Sequence, residues 1–405
     1  MNISWSQEEN KVFLHIDDYK FYMIAPENFD IHTTRSELKE LCLHYLFYGL
    51  NINPKINNKS KKEYPNMFIN KTYTFREKCP NIGLAYSNGI DSGACLELLP
   101  KDITVPIFLY RNYQYTDKDM LTKFNIPDLI ESYNKLALNG IKKINDLTNY
   151  PKVNIIQTDF ELIRVVLTNG EKIRGWNCPF GHISLLILLA DHFNLGYLSM
   201  GSVLEGKFLK NGCEFKNVIN NSSESDYMTS MKILKCINIE LFYPVAGLSE
   251  VLTTKIIHNS PLKDICNSCV VGEDKHCLNC LKCFIKSAIN DGKLLKVSNN
   301  IKKQLNKYPI KDATATVYSC QKVVFKQSTI INKYMKLDLK FLERYYINYL
   351  YPSHNEVDFV PSKFKEVIRV NLEKNNIFPM SYNDINNLVN IGKHFNDLEL
   401  YTTPP

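Results

Sequence analysis

Long apolar runs are missing from this 405-residue chain. No stretch reaches the roughly 18 residues that span a bilayer as a helix. The longest, Ile183–Ala190, falls far short, so no membrane partner is expected. The lysine-bearing loop of P-loop NTPases is absent, and so is G-x-G-x-x-G. Ordinary NTPase and dinucleotide readings lose their basis. No catalytic triad, internal repeat or low-complexity tail is legible. The first residues, MNISWSQEEN, are polar and acidic. They lack a secretory leader's pattern, and a cytoplasmic location is expected. Charge is also not strongly of one sign. A net +7 with pI near 8.6 is mild for this length, and admits anionic ligands without demanding them.

What is present fits a soluble globular protein, with 44% hydrophobic and 22% charged residues. The length suggests two or three domains. Residues 1–78 read as a small α+β unit. Val12–Ile16 and Lys20–Ile24 form a hairpin about Asp17–Asp18, and Thr34 precedes Glu37 at capping-box spacing. Asn51–Tyr64, rich in Asn, Lys and Ser, reads as an exposed loop.

Residues 79–295 alternate short apolar strands with helices. Strands are expected at Ile82–Tyr86, Ile103–Tyr110, Val153–Gln157, Leu198–Gly201 and Ile239–Tyr243. Helices are expected at Gly93–Leu99, Ile126–Ile144 and Ile183–Phe193. This alternation predicts an α/β fold with a parallel sheet covered on both faces. Residues 296–405 read as a helical C-terminal domain, with Leu337–Leu350 and Phe364–Leu372 as its clearest segments.

At the end of the first of these strands stands Tyr86-Ser87-Asn88-Gly89-Ile90-Asp91-Ser92-Gly93. A strand entering a small-residue turn that opens a helix offers backbone N–H groups to an anion. Gly89 permits close approach and positive φ. The hydroxyls of Ser87 and Ser92 can donate to phosphate. Asp91 would repel phosphate unless it held a cation, which points to Mg²⁺. An N-capped strand–turn–helix junction is the plainer alternative.

The chain has twelve cysteines, and Cys266, Cys269, Cys277, Cys280 and Cys283 cluster. A disulfide scaffold would be shorter and spread them evenly, so the cluster points to metal. Four thiolates complete a closed tetrahedral Zn²⁺ shell, which is structural in character. Five residues compete for the four places, and an iron–sulfur cluster is an alternative.

The 87–92 segment resembles the SGGxDS loop of the PP-loop ATP pyrophosphatases, with Asn88, a residue type that tolerates left-handed backbone and so keeps the turn, where the first glycine is usual. That resemblance implies a doubly wound parallel sheet and ATP cleavage between the α- and β-phosphates. With the cysteines, the likeness narrows to the 7-cyano-7-deazaguanine synthase family, over about residues 80–290. It implies Cys269, Cys277, Cys280 and Cys283 as zinc ligands, with Ser268 as the preceding serine and Cys266 extra. It also matches Leu198–Gly201 to a strand and glycine before the substrate loop, and Pro244–Ser249 to a P-x-x-x-x-S segment. The implied ATP-binding residues are Ser87, Asn88, Gly89, Ile90, Asp91, Ser92 and Gly201.

Departures are visible. His182 stands where the family has Arg and Asn after a Pro-Gly turn, here Cys178–Gly181. Glu250 replaces a lysine, for which Lys255 is a candidate substitute. The loop Ser202–Phe208 lacks the family's Asp-rich pattern.

Asp91, Ser92 and His182 are the expected catalytic residues. His182 would be kept neutral by a helix N-terminus, though an ordinary helix-start histidine is the commoner case. Glu205, Lys207 and Lys210 are loop charges that could meet ligand. Trp176 and Tyr86 are read as core, with stacking on a base as the alternative. The expected activity is AMP-forming ligation of a small acyl substrate to nitrogen, with ATP, Mg²⁺ and Zn²⁺. A tRNA-modifying sulfurtransferase of the same superfamily and a non-catalytic nucleotide-binding module are the alternatives. A homodimer is left open, and tRNA is the less favoured partner.

Overall fold

The computed structural model describes residues 2–47, 77–124, 126, 130–170, 181–203, 209–210, 214–215, 233–269, 272, 277–291, 298–305, 319 and 360–379. In chain order the elements are β1 (Ile3–Glu8), β2 (Lys11–Ile16), β3 (Tyr19–Ile24), α1 (Ser36–Phe47), β4 (Asn81–Ala85), α2 (Ile90–Leu98) and β5 (Thr104–Arg111). Next come α3 (Lys118–Lys123), α4 (Ile130–Asn145), β6 (Asn154–Thr158), α5 (Ile163–Leu167), α6 (Gly181–Leu188), β7 (Leu195–Met200), β8 (Leu209–Lys210) and β9 (Glu214–Phe215). The last are β10 (Glu240–Phe242), α7 (Glu250–His258), α8 (Leu281–Asp291), α9 (Asn299–Leu305) and α10 (Ser362–Lys374).

The fold is α/β, around a mixed eight-stranded sheet of order β1-β2-β3-β6-β5-β4-β7-β10. The five strands β6, β5, β4, β7 and β10 run parallel, Ile82 pairing with Thr104 on one side and Tyr197 on the other. All six residues of β7 are buried, as a strand covered on both faces requires. Helix α6 is apolar nearly all round, hence enclosed, and packs on α1, β4 and β7.

The hairpin expected near Asp17 is present. Lys11 to Ile16 pairs with Ile24 to Tyr19, and Asp17 takes φ 50° at the turn. A further strand, β1, pairs ahead of it, and β3 joins β6 antiparallel at Met23–Thr158. The capping box does not form. The Thr34 hydroxyl turns back to the Asp30 carbonyl at 2.8 Å, and α1 starts only at Ser36.

The chain divides into two compact units that alternate along it, whereas the sequence reading placed consecutive segments. The first comprises 1–87, 101–200 and 224–242, and holds the whole eight-stranded sheet. The second comprises 88–100, 201–223 and 243–405. In it α2 packs on α7 and α10, and α7 packs on α8. The two-stranded β8–β9 pair also belongs there. Among the described residues no helix is long and apolar enough to cross a membrane.

Asn51–Tyr64, Trp176, Cys178–Phe180, Glu205, Lys207 and Leu337–Leu350 lie outside the described residues, as does the side chain of Lys210.

Candidate metal centre and adjoining loop

The Sγ atoms of Cys269, Cys277, Cys280 and Cys283 all lie within 4.8 Å of one another. This group can hold a metal ion. Cys280 and Cys283 flank the start of α8, and Leu278 at φ 53° bends the knuckle between Cys277 and Cys280. Backbone N–H groups already point at the sulfurs. Gly272 and Cys277 donate to Cys269 Sγ at 3.2 and 3.3 Å, Asn279 to Cys277 Sγ at 3.4 Å, and Cys283 to Cys280 Sγ at 3.4 Å.

The donor set fits a tetrahedral ion. Cys277 Sγ and Cys283 Sγ are 3.8 Å apart. A tetrahedron with metal–sulfur bonds of about 2.3 Å has edges of about 3.8 Å. Burial and the neighbouring Cys280 push the Cys283 thiol far up, and burial also raises Cys280. Thiols so packed favour their neutral form until a cation offsets the charge. Among the described residues Cys266 is not in the group. It is buried, and a Cβ added to Gly93 would meet its Sγ at 2.5 Å. The extra cysteine therefore fills the space that Gly93 leaves on α2.

The loop from Asn88 lies in the same unit. The left-handed residue is Asn88, at φ 57°, and not Gly89, which is an extended N-cap at φ −77°, ψ 164°. Asn tolerates that region better than most residues, which explains how the turn forms without the usual glycine. Asn88 is 1% exposed. Its side-chain Nδ2 donates to the Ile265 carbonyl at 3.1 Å, and its own carbonyl accepts from Asn267 N at 2.7 Å.

Several expected phosphate donors have internal partners. Ile90 N–H donates to Ser268 Oγ at 3.3 Å, and Ser92 Oγ donates to the Gly89 carbonyl at 3.1 Å. Ser87 is exposed, while Gly89 and Asp91 are half-buried. Gly201 lies directly against the loop. A Cβ there would stand 2.8 Å from both Asp91 C and Ser92 N.

Asp91 Oδ1 accepts from Thr253 Oγ1 at 2.6 Å. Burial raises its carboxyl, with Glu250 adding to the rise. Lys286, the Thr253 bond and Lys282 oppose it. Ser249 caps α7 through its hydroxyl, accepting from Leu252 N. Glu250 follows at the first position, where a helix N-terminus favours a carboxylate. A cation from α8 meets it. Lys286 Nζ lies 2.8 Å from Glu250 Oε1 and donates to Thr254 Oγ1 at 2.9 Å, with both charged residues buried.

His182 belongs to the sheet-bearing unit, as the second residue of α6. Burial and then the positive charge of Arg111 lower its pKa to about 4. The imidazole is thus neutral near pH 7, for a different reason from the helix terminus expected. Arg111 ends β5 and pairs with Glu161 at 3.2 Å, while Tyr113 donates to Glu161 at 2.6 Å. Sequence reasoning missed this cluster. An arginine directly after an apolar strand was the available signal. Tyr86 is 2% exposed, as core packing requires.

The His182 shift has a testable sign. Its folded pKa is depressed, so the stability it contributes is present above about pH 6.5 and lost as pH falls toward about 4. Urea unfolding at pH 7 and pH 4.5 is expected to show a smaller acid loss in His182→Gln than in the native chain. Equal losses would contradict the assignment.

Residues 229–391 match the model of a family of unknown function, DUF6395. That stretch contains the four cysteines, Glu250 and Lys286, and leaves out the loop at 88–92. No curated protein and no solved structure matches the chain.

Proposed function

We propose that the chain is an ATP-binding enzyme that forms AMP and pyrophosphate. It would adenylate a carbonyl or carboxylate oxygen before nitrogen transfer, in the manner of the 7-cyano-7-deazaguanine synthases. The reading includes a doubly wound sheet of PP-loop type. One observation carries it. From β4 the chain adds β5 and then β6 on one side, and returns to place β7 on the other. Such a reversal is the strand pattern of a doubly wound sheet. The 87–92 segment follows β4, and Gly201 follows β7. The backbone contact of Gly201 with Asp91 and Ser92 supports a pairing of these two segments in one site.

In this reading Ser87–Ser92 and Gly201 hold the triphosphate, and Asp91 holds Mg²⁺, which would offset charge on the phosphates. Substrate oxygen attacks the α-phosphorus, and the bond to the β-phosphate oxygen breaks with release of pyrophosphate. A nitrogen nucleophile then displaces AMP from the acyl-adenylate. Zn²⁺ on the four cysteines is structural, since four sulfurs leave no open position. His182 enters this reading as the catalytic histidine in the role of a neutral hydrogen-bonding group, since a pKa lowered to about 4 makes it a weak base near pH 7.

The second reading, a non-catalytic nucleotide-binding module, draws on the internal partners of Ile90, Asp91 and Ser92. Isotope exchange between ATP and pyrophosphate, run over a panel of carboxylates, separates the two. The enzyme reading expects exchange with at least one acid. It also expects Asp91→Ala to lower it on the order of a hundredfold or more. Unchanged turnover in that variant refutes the role of Asp91. Binding of ATP without exchange, across the panel, favours the module.

A further inference from the structure

We propose that Ser268 and Lys286 are positioning residues through which the cysteine centre sets the shape of the Asn88–Ser92 loop. The inference rests on the metal reading of the four cysteines and is independent of nucleotide chemistry.

Two arms of chain leave the sulfur group and reach the loop. The first precedes Cys269. Its Ile265 carbonyl accepts from Asn88 Nδ2 at 3.1 Å, its Asn267 amide donates to the Asn88 carbonyl at 2.7 Å, and its Ser268 Oγ accepts from Ile90 N–H at 3.3 Å. Asn267 works in both directions, because its Oδ1 accepts from the Cys269 amide at 2.8 Å. A shift of Cys269 is thereby passed to Asn88 through one residue.

The second arm is α8. Cys283 and Lys286 are one helical turn apart, so they share a face and move together. Lys286 grips α7 through Glu250 at 2.8 Å and Thr254 at 2.9 Å. On that helix Thr253 holds Asp91 Oδ1 at 2.6 Å. The loop is therefore held at Asn88 and Ile90 by one arm, and at Asp91 by the other through α7.

A metal on the four sulfurs would join the arms, since Cys269 belongs to one and Cys280 and Cys283 to the other. Removing it leaves the thiols without that bond and lets the arms separate. The Ile90 amide is the natural reporter, because its acceptor sits one residue from a ligand.

Hydrogen exchange on the full-length protein tests this, comparing the zinc-loaded protein with the chelated one. Chelation is expected to speed exchange at residues 88–92 at least tenfold, together with the amides of Gly272 and Cys277. Zinc-loaded Ser268→Ala is expected to speed Ile90 with its zinc content unchanged, and Ser268→Thr to restore it. Zinc-loaded Lys286→Met is expected to speed Asp91 and Ser92 instead. If chelation also melts β7, the Ser268 variants decide alone. An Ile90 amide unaffected in Ser268→Ala overturns the inference, as does a protected 88–92 segment beside fast Gly272 and Cys277. Calorimetry with pyrophosphate tests the nucleotide reading separately. Absent binding with the coupling intact refutes that reading and leaves this one standing.

Discussion

Cys277→Ser is expected to lose most of its bound zinc and to lower stability by more than about 4 kcal/mol. The four sulfurs lie within 4.8 Å of one another, and serine would place a poorer ligand in one of four positions. Metal binding to such a group is itself folding free energy, since the site is not assembled in the unfolded chain. The loss should fall on the unit that contains α7, α8 and α10. Cys266→Ser is the control. Its sulfur lies outside the four and fills space beside Gly93, so its zinc content should match that of the native chain. Metal analysis with urea unfolding of both variants checks the pair. Equal zinc loss from both would show that the ligand set is drawn wrongly.

Gly201→Ala is expected to be the most damaging of the small substitutions near the loop. Its Cβ would fall 2.8 Å from Asp91 C and 2.8 Å from Ser92 N. Both are backbone atoms at the start of a helix, so neither can swing aside as a flexible side chain would. Relief requires moving the loop or the segment after β7, at a cost of about 1–3 kcal/mol. Nucleotide binding, if it uses this loop, should fall with it. Gly89→Ala is the informative contrast. Gly89 is extended at φ −77°, a conformation open to alanine. Asn88 instead carries the left-handed strain. Thermal unfolding should therefore rank Gly201→Ala well below Gly89→Ala, and the reverse order would remove the argument from close approach.

The parallel strands were legible because buried strands are written as short apolar runs. Ile82–Leu84 and Leu195–Met200 are fully enclosed, and hydrophobicity alone marks most of their length. Strand β1 was not legible. Its sequence ISWSQE is mostly half-exposed, as suits a strand at the sheet's edge. Nor could local reading show that β3 joins β6, a pairing made across 135 residues of chain and secured by Asp159 accepting from Tyr22 N. The cysteine centre was legible because its ligands are close in sequence. The polar network beside it was not, since Thr253 reaches Asp91 across 162 residues and Lys286 reaches Thr254 across 32. The turn at Asn88 was anticipated, but which residue takes positive φ depends on the Ile265–Ser268 segment that binds it.

The interleaving of the two units bears on how this protein can be cut. The matched stretch, 229–391, carries α7, α8 and α10 but not the 88–100 segment that supplies α2 to the same body. Expressed by itself, it would present to water the apolar faces that α7 and α10 turn toward α2. A fragment of 229–391 is therefore expected to gain solubility when residues 88–100 are supplied with it.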